Sequence, residues 1–276
     1  MKIGVFDSGL GGLLITHSII QELPDYDYLY LGDTARVPYG NRSTDTIYQF
    51  TREAVSYLFQ QDCQIIIVAC NTASADALRR IQQEYLPYSY PNRRVLGVLI
   101  PAAEEAVACT KTGRIGVLAT QATVQSGAFV REIKKLKADA TVVQQAAPLL
   151  VSLIELGGIK FAGPIVEDYL EPLQHHGIDC LILGCTHFPI LRAMIEEHLG
   201  PSTLVVDQNN TVPGSLRRYL ARHPELEQHL AKQGRRTFQV TDLTESATSL
   251  AKEWFGPQIV LEQIPALSEM IGTKTE

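Results

Sequence analysis

Two short segments place a thiol and hydrogen-bonding side chains at the end of an apolar run. They are IIIVACNTAS at 65–74 and CLILGCTHF at 180–188. A free cysteine is often a small buried hydrophobe. That reading suits Cys63 and Cys180, before or at the start of apolar strands, and Cys109, in a helical stretch. Cys70 and Cys185 differ because polar neighbours follow at once: Asn71 and Thr72 after the first, Thr186 and His187 after the second. Helical patterns follow both thiols, ASADALRRIQQEY and PILRAMIEEHL, with Pro189 suited to a first turn. A helix N-terminus stabilises a thiolate and lowers the cysteine pKa.

Two thiols on opposite walls of one cleft suit the inversion of a stereocentre. One thiolate removes a proton from one face of a carbon, and the second thiol delivers a proton to the other face. Asp7 and His187 are candidates to move or orient protons beside the thiols. Each also has a plain structural use, Asp7 in closing a turn and His187 in holding a loop. Zinc is the main rival use for the cysteines. Cys63-x6-Cys70 and Cys180-x4-Cys185 depart from close-pair zinc patterns, so no metal site is expected. SGLGGL at 8–13 could cradle a phosphate, but it lacks the Walker lysine and the dinucleotide spacing, and a tight strand-to-helix turn explains it better.

Positioning such groups requires strand ends. Apolar runs predict strands at Lys2–Phe6, Tyr28–Leu31, Gln64–Ala69, Arg94–Leu99, Arg114–Ala119, Thr141–Val143, Cys180–Leu183, Thr203–Val206 and Phe238–Val240. Helical patterns alternate with them, and Ser43 is placed to cap the one over 44–61. This order predicts βαβ units, mainly parallel sheets and ligands beyond the carboxyl ends of the strands. KIGVFDSG at 2–9 is echoed by RIGVLATQ at 114–121, and IIIVACNTA by CLILGCTHF. Asp7 lies 63 residues before Cys70; Ala119, its counterpart, lies 66 before Cys185. The expectation is an α/β protein of two similar lobes, residues 1–97 with 208–276 and residues 98–207, with the site in the cleft between them.

The 276 residues are 45% hydrophobic and 20% charged, with a net charge of −6. That balance fits a globular protein and gives no general basis for binding nucleic acid. No apolar run reaches the roughly 18 residues of a membrane span, and the opening MKIGVFDSGLGG does not read as a signal peptide. Five cysteines, an odd number, suggest no disulfide framework, and a reducing cytoplasm is the expected setting.

FDSGLGG, YLGDTARVPYG, VACNTASA and LGCTHFPIL, in that order, together resemble the glutamate racemase family, and IGVLATQATVQSGAF resembles its middle region. The resemblance implies a cofactor-independent isomerase of two α/β lobes. Its substrate would be glutamate, its product D-glutamate for peptidoglycan, and its assembly a homodimer. By motif, Cys70 and Cys185 are the acid/base pair, assisted by Asp7 and His187. Asp7, Ser8, Tyr39, Gly40, Asn71, Thr72, Thr186 and His187 would contact substrate, with Thr120, Thr123 and Glu155 as further candidates. The chain departs from the family pattern at Ala147 and Ser152, where Cys and Pro are common. It departs again at Asp207-Gln208-Asn209, which replaces the usual Asp-Ser-Gly. The alternatives are a racemase of aspartate or a related acid, a catalytically silent two-lobed amino-acid binding protein and, less well matched, a zinc hydrolase.

Overall fold

The computed structural model describes residues 1–271; the end of the expected 208–276 segment lies outside the described residues. Among the described residues there are ten strands: β1 Lys2–Asp7, β2 Tyr28–Gly32, β3 Cys63–Val68, β4 Arg94–Gly97, β5 Arg114–Ala119, β6 Thr141–Ala146, β7 Cys180–Gly184, β8 Leu204–Val206, β9 Arg236–Val240 and β10 Leu261–Gln263. They form a six-stranded sheet of order β10-β9-β2-β1-β3-β4 and a four-stranded sheet of order β6-β5-β7-β8. Every pairing is parallel. The sequence echo thus has a structural counterpart, because β2-β1-β3-β4 and β6-β5-β7-β8 share one order. In each sheet the chain leaves the central strand, pairs on one side, then returns to pair on the other. The gaps beyond β1/β3 and beyond β5/β7 are therefore equivalent switch points, where open parallel sheets bind ligands.

Strands covered on both faces must be apolar throughout, and β1, β2, β3 and β7 are almost wholly buried. Alternation sorts their side chains. Ile3, Val5, Ile65 and Ile67 face the core that continues into the smaller sheet, whereas Phe6, Leu29, Leu31, Ile66 and Val68 face a second core. The helix Thr44–Gln60 covers that second core. Ser43 caps it by accepting from the Thr46 N–H, and Ile47, Thr51, Ala54 and Leu58 are buried along its inner face. Phe50 is half-buried against the same core and carries the Arg36 guanidinium over its ring. Helices Leu99–Cys109 and Gln208–Arg222 pack on each other, the first also against β7 and β8, the second also against helix Gly12–Glu22.

Several boundaries differ from the sequence expectation. β4 stops at Gly97 and Leu99 opens a helix. Pro101 is tolerated in its first turn, where an N–H would lack an intrahelical partner anyway. The stretch after Cys70 breaks into helix Asn71–Asp76, a short turn Leu78–Arg80, a π-helical turn Ile81–Tyr85 and helix Leu86–Ser89. After Cys185 comes a 3-10 turn, Phe188–Leu191, and the α-helix begins only at Arg192. β10 has no counterpart in the expected strands. It is a short edge strand whose Glu262 and Gln263 face solvent, so its sequence lacks an apolar run.

Candidate functional site

The β1 and β3 ends bring Ser8 and Cys70 together, and the Cys70 thiol donates to the Ser8 hydroxyl at 3.3 Å. Cys70 is the N-cap of helix Asn71–Asp76, its sulfur accepting from the Ala73 N–H at 3.5 Å. The expected drop in thiol pKa does not follow. Burial pushes Cys70 up to about 12 and Asp7 adds to it, outweighing the pull of Ser8 and the Ala73 N–H. One short helix end cannot offset the loss of water around the sulfur. Cys70 in the free protein is therefore a neutral thiol at physiological pH.

Asp7 lies beneath the cleft and does not line it. Its Oδ2 accepts from the Gly9 N–H at 3.0 Å, and Oδ1 is buried without a partner. Burial raises its pKa; His187 and the backbone N–H groups of Gly12 and Gly9 oppose this.

The other wall begins at the end of β7. His187 Nδ1 lies 3.9 Å from Cys185 Sγ and 3.4 Å from Thr186 Oγ1, and Nε2 lies 2.9 Å from Glu155 Oε1. Burial alone would lower the imidazole pKa. Hydrogen bonding to Cys185 and Glu155 outweighs it and lifts His187 to about 10. An imidazolium therefore stands beside Cys185. The Trp254 ring meets His187 edge-on, 5.6 Å between centroids, and closes the far side.

Both thiols line one cleft, together with Ser8, Asn71, Thr72, Thr120, Glu155, Thr186 and His187. The loop Val37–Asn41 forms another wall. Tyr39 lies in that wall; its hydroxyl donates to Asp33, so its proton is committed there while its oxygen can still accept. Gly40 approaches the opposite wall closely, since a Cβ there would stand 2.8 Å from Thr120 Cβ. Gly11 does the same nearer the thiols: a Cβ would lie 2.5 Å from Thr186 Oγ1 and 2.8 Å from the His187 ring. In SGLGG, these contacts require glycine at Gly11, and at Gly12 a Cβ would stand 2.5 Å from the Asp7 Cβ. Thr123 sits behind the lining, where its hydroxyl, Thr120 and Thr72 are mutually within 2.9 to 3.3 Å.

The wall is uncharged apart from Glu155 and His187. Arg36, the one arginine or lysine in the motifs, is withdrawn from the cleft, with Nε on Asp33 at 2.7 Å and Nη1 on Glu53 at 2.5 Å. Pro148, Val151 and Ser152 complete the lining. Of these, only Ser152 carried a signal, as a departure from the family pattern. Trp254 and Gln208 were missed as neighbours of the site. A single tryptophan in the chain was the only hint for the first, and the altered loop after Asp207 the only hint for the second.

A family model described as Asp/Glu/hydantoin racemase matches residues 3–212. The chain is 41% identical to the glutamate racemase of Persephonella marina, over 96% of this chain and 97% of that protein. Among solved structures, the glutamate racemase of Bacillus anthracis superposes with a TM-score of 0.87 at 33% identity, covering 95% of this chain and 97% of that one. That of Francisella tularensis, in complex with D-glutamate, gives 0.86 at 31%, covering 96% and 97%.

Proposed function

The chain belongs to the Asp/Glu/hydantoin racemase family, and from that premise we propose that it interconverts L- and D-glutamate by proton transfer between two cysteines, without a cofactor. The observation that carries this reading is the single cleft lined by both Cys70 and Cys185. The α-hydrogen of L-glutamate passes to the Cys185 thiolate, leaving a planar carbanion. The Cys70 thiol then places its own proton on the opposite face, so that one proton is taken up and one released. The protonation states support this direction: Cys70 is a thiol at neutral pH, and an imidazolium beside Cys185 stabilises charge on that sulfur. The reverse reaction uses the other state, with Cys70 as base and Cys185 as acid. Asp7 and His187 assist the two thiols electrostatically from below and beside them.

Two carboxylates and a developing carbanion need donors. Ser8, Asn71, Thr72, Thr120 and Thr186 present uncharged ones around the thiols, in a setting where preorganised dipoles act strongly. We assign the first lobe to residues 1–97 with 208–276 and the second to 98–207. The product would supply peptidoglycan synthesis in a bacterial cytoplasm, with the enzyme acting as a homodimer.

The test is racemisation of L-glutamate in deuterated water. Early D-product should carry deuterium at the α-carbon, delivered by solvent-exchanged Cys70, while remaining L-substrate stays mostly unlabelled. Aspartate assayed alongside tests the competing substrate. Turnover of aspartate but not glutamate would replace the substrate, and near-normal inversion in Cys70→Ala or Cys185→Ala would sink the two-thiol mechanism.

A further inference from the structure

The cleft residue Asn71 is bonded through its acceptor. Gln208 Nε2 donates to Asn71 Oδ1 at 3.0 Å, across 137 residues of sequence. Asn71 lines the cleft, and its Nδ2 is buried with no partner among the described residues. Gln208 is fully buried, and its own Oε1 has no partner either.

Gln208 is held firmly. It is the first residue of helix Gln208–Arg222, whose N-cap Asp207 accepts from the Asn210 N–H at 3.1 Å. Arg192 pins Asp207 at 2.5 Å and donates to the Val205 carbonyl at 2.8 Å. The end of β8 in the smaller sheet therefore aims an amide at the residue after Cys70 in the larger one.

A side-chain amide carries an acceptor and a donor on opposite sides. With Oδ1 accepting from Gln208, the group left unpartnered is the Nδ2 donor. The hydroxyls around it are partly committed: Ser8 to Cys70, Thr72 and Thr120 to each other, Thr186 to His187. A buried donor without a partner is unfavourable, and a ligand oxygen relieves that on binding. Resting on the reading of the site as a glutamate racemase, we propose that Gln208 is a positioning residue that turns the Asn71 Nδ2 donor to the cleft, where it binds a substrate carboxylate. The opposite placement of both amides would form the same pair and offer Oδ1 to the cleft instead, which would suit an ammonium group.

The experiment compares the full-length wild type with Gln208→Met and Gln208→Glu. It measures KM and kcat for glutamate, and calorimetric binding of glutarate, a dicarboxylate without an amino group. Met removes the pin at similar size. An ionised Glu draws Nδ2 to itself and leaves Oδ1 facing the cleft. Losing one hydrogen bond to a carboxylate should raise KM and the glutarate Kd about ten- to hundredfold, more for Glu than for Met, with kcat changed less. Circular dichroism and melting check the fold, and Met keeps the test alive should Glu fail to fold. Unchanged KM and glutarate Kd in folded Gln208→Met would overturn the proposal. So would a raised KM with unchanged glutarate binding, which would place Asn71 on the amino group. A wild type that binds glutarate but does not racemise glutamate would fail the functional reading alone, and the glutarate arm would still report on the amide.

Discussion

Glu155→Gln separates the charge of Glu155 from its shape. Glutamine keeps the size and can still accept from His187 Nε2, now 2.9 Å from Glu155 Oε1, but the negative charge is gone. A hydrogen bond to a charged group contributes about 1.5–3 kcal/mol. At about 1.4 kcal/mol per pKa unit, its loss should lower the His187 pKa by about 1–2 units. The imidazolium that persists to about pH 10 would then titrate near pH 8 or 9. Cys70 titrates later, at about 12, so of these two groups His187 is the first to lose its proton on a basic limb. The variant should lose activity on that limb about 1–2 pH units earlier. Enantiomers have equal free energy in water, so kcat/KM must remain equal in the two directions whatever the mutation. A defect on the Cys185 side therefore shows elsewhere. The primary isotope effect with α-deuterated L-glutamate should grow, and that with α-deuterated D-glutamate should shrink. The assay is circular-dichroism kinetics from pH 6 to 11 with both labelled enantiomers. An unchanged basic limb in a folded variant would refute the coupling of Glu155 to His187, and symmetric isotope effects would refute its link to Cys185.

Cys70→Ala and Cys185→Ala should each abolish inversion, read by chiral chromatography, while melting within a few degrees of wild type. Gly11→Ala must displace Thr186 and the His187 ring, because its Cβ would stand 2.5 Å and 2.8 Å from them. Overpacking of this kind costs about 1–3 kcal/mol, and activity should fall far more than the melting temperature. Racemisation should survive chelator treatment and need no added pyridoxal phosphate; loss of activity restored by a metal would overturn the cofactor-free reading. The raised pKa of His187 stabilises the folded protein fully below the unfolded value of 6.5, and that contribution is lost as pH rises through about 10. Melting temperature should therefore drop across that window, and less so in Glu155→Gln.

The local features were legible because they depend on near neighbours in the chain. Apolar runs marked the strands, and the polar residues that stop those runs marked Asp7, Cys70 and Cys185 as strand-end groups. The repeated KIGVFDSG and RIGVLATQ announced two similar sheets, whose strand orders do match. Motif order identified the racemase resemblance. Distances across the fold leave no such trace. His187 meets Glu155 from 32 residues away, Thr72 meets Thr120 from 48, and Asn71 meets Gln208 from 137. Nothing local records those pairings, because they arise only when elements distant in sequence fold against one another. Charge states are equally nonlocal. A helix N-terminus predicted an acidic Cys70, yet burial beneath surrounding elements and the nearby Asp7 hold it near 12. The motif around Arg36 offered a cation, and tertiary packing spent it on Asp33 and Glu53. Residue types and spacing thus determined which chemistry was possible. Burial and long-range contact, summed over the whole fold, decided that Cys70 holds its proton and which donors remain unpartnered.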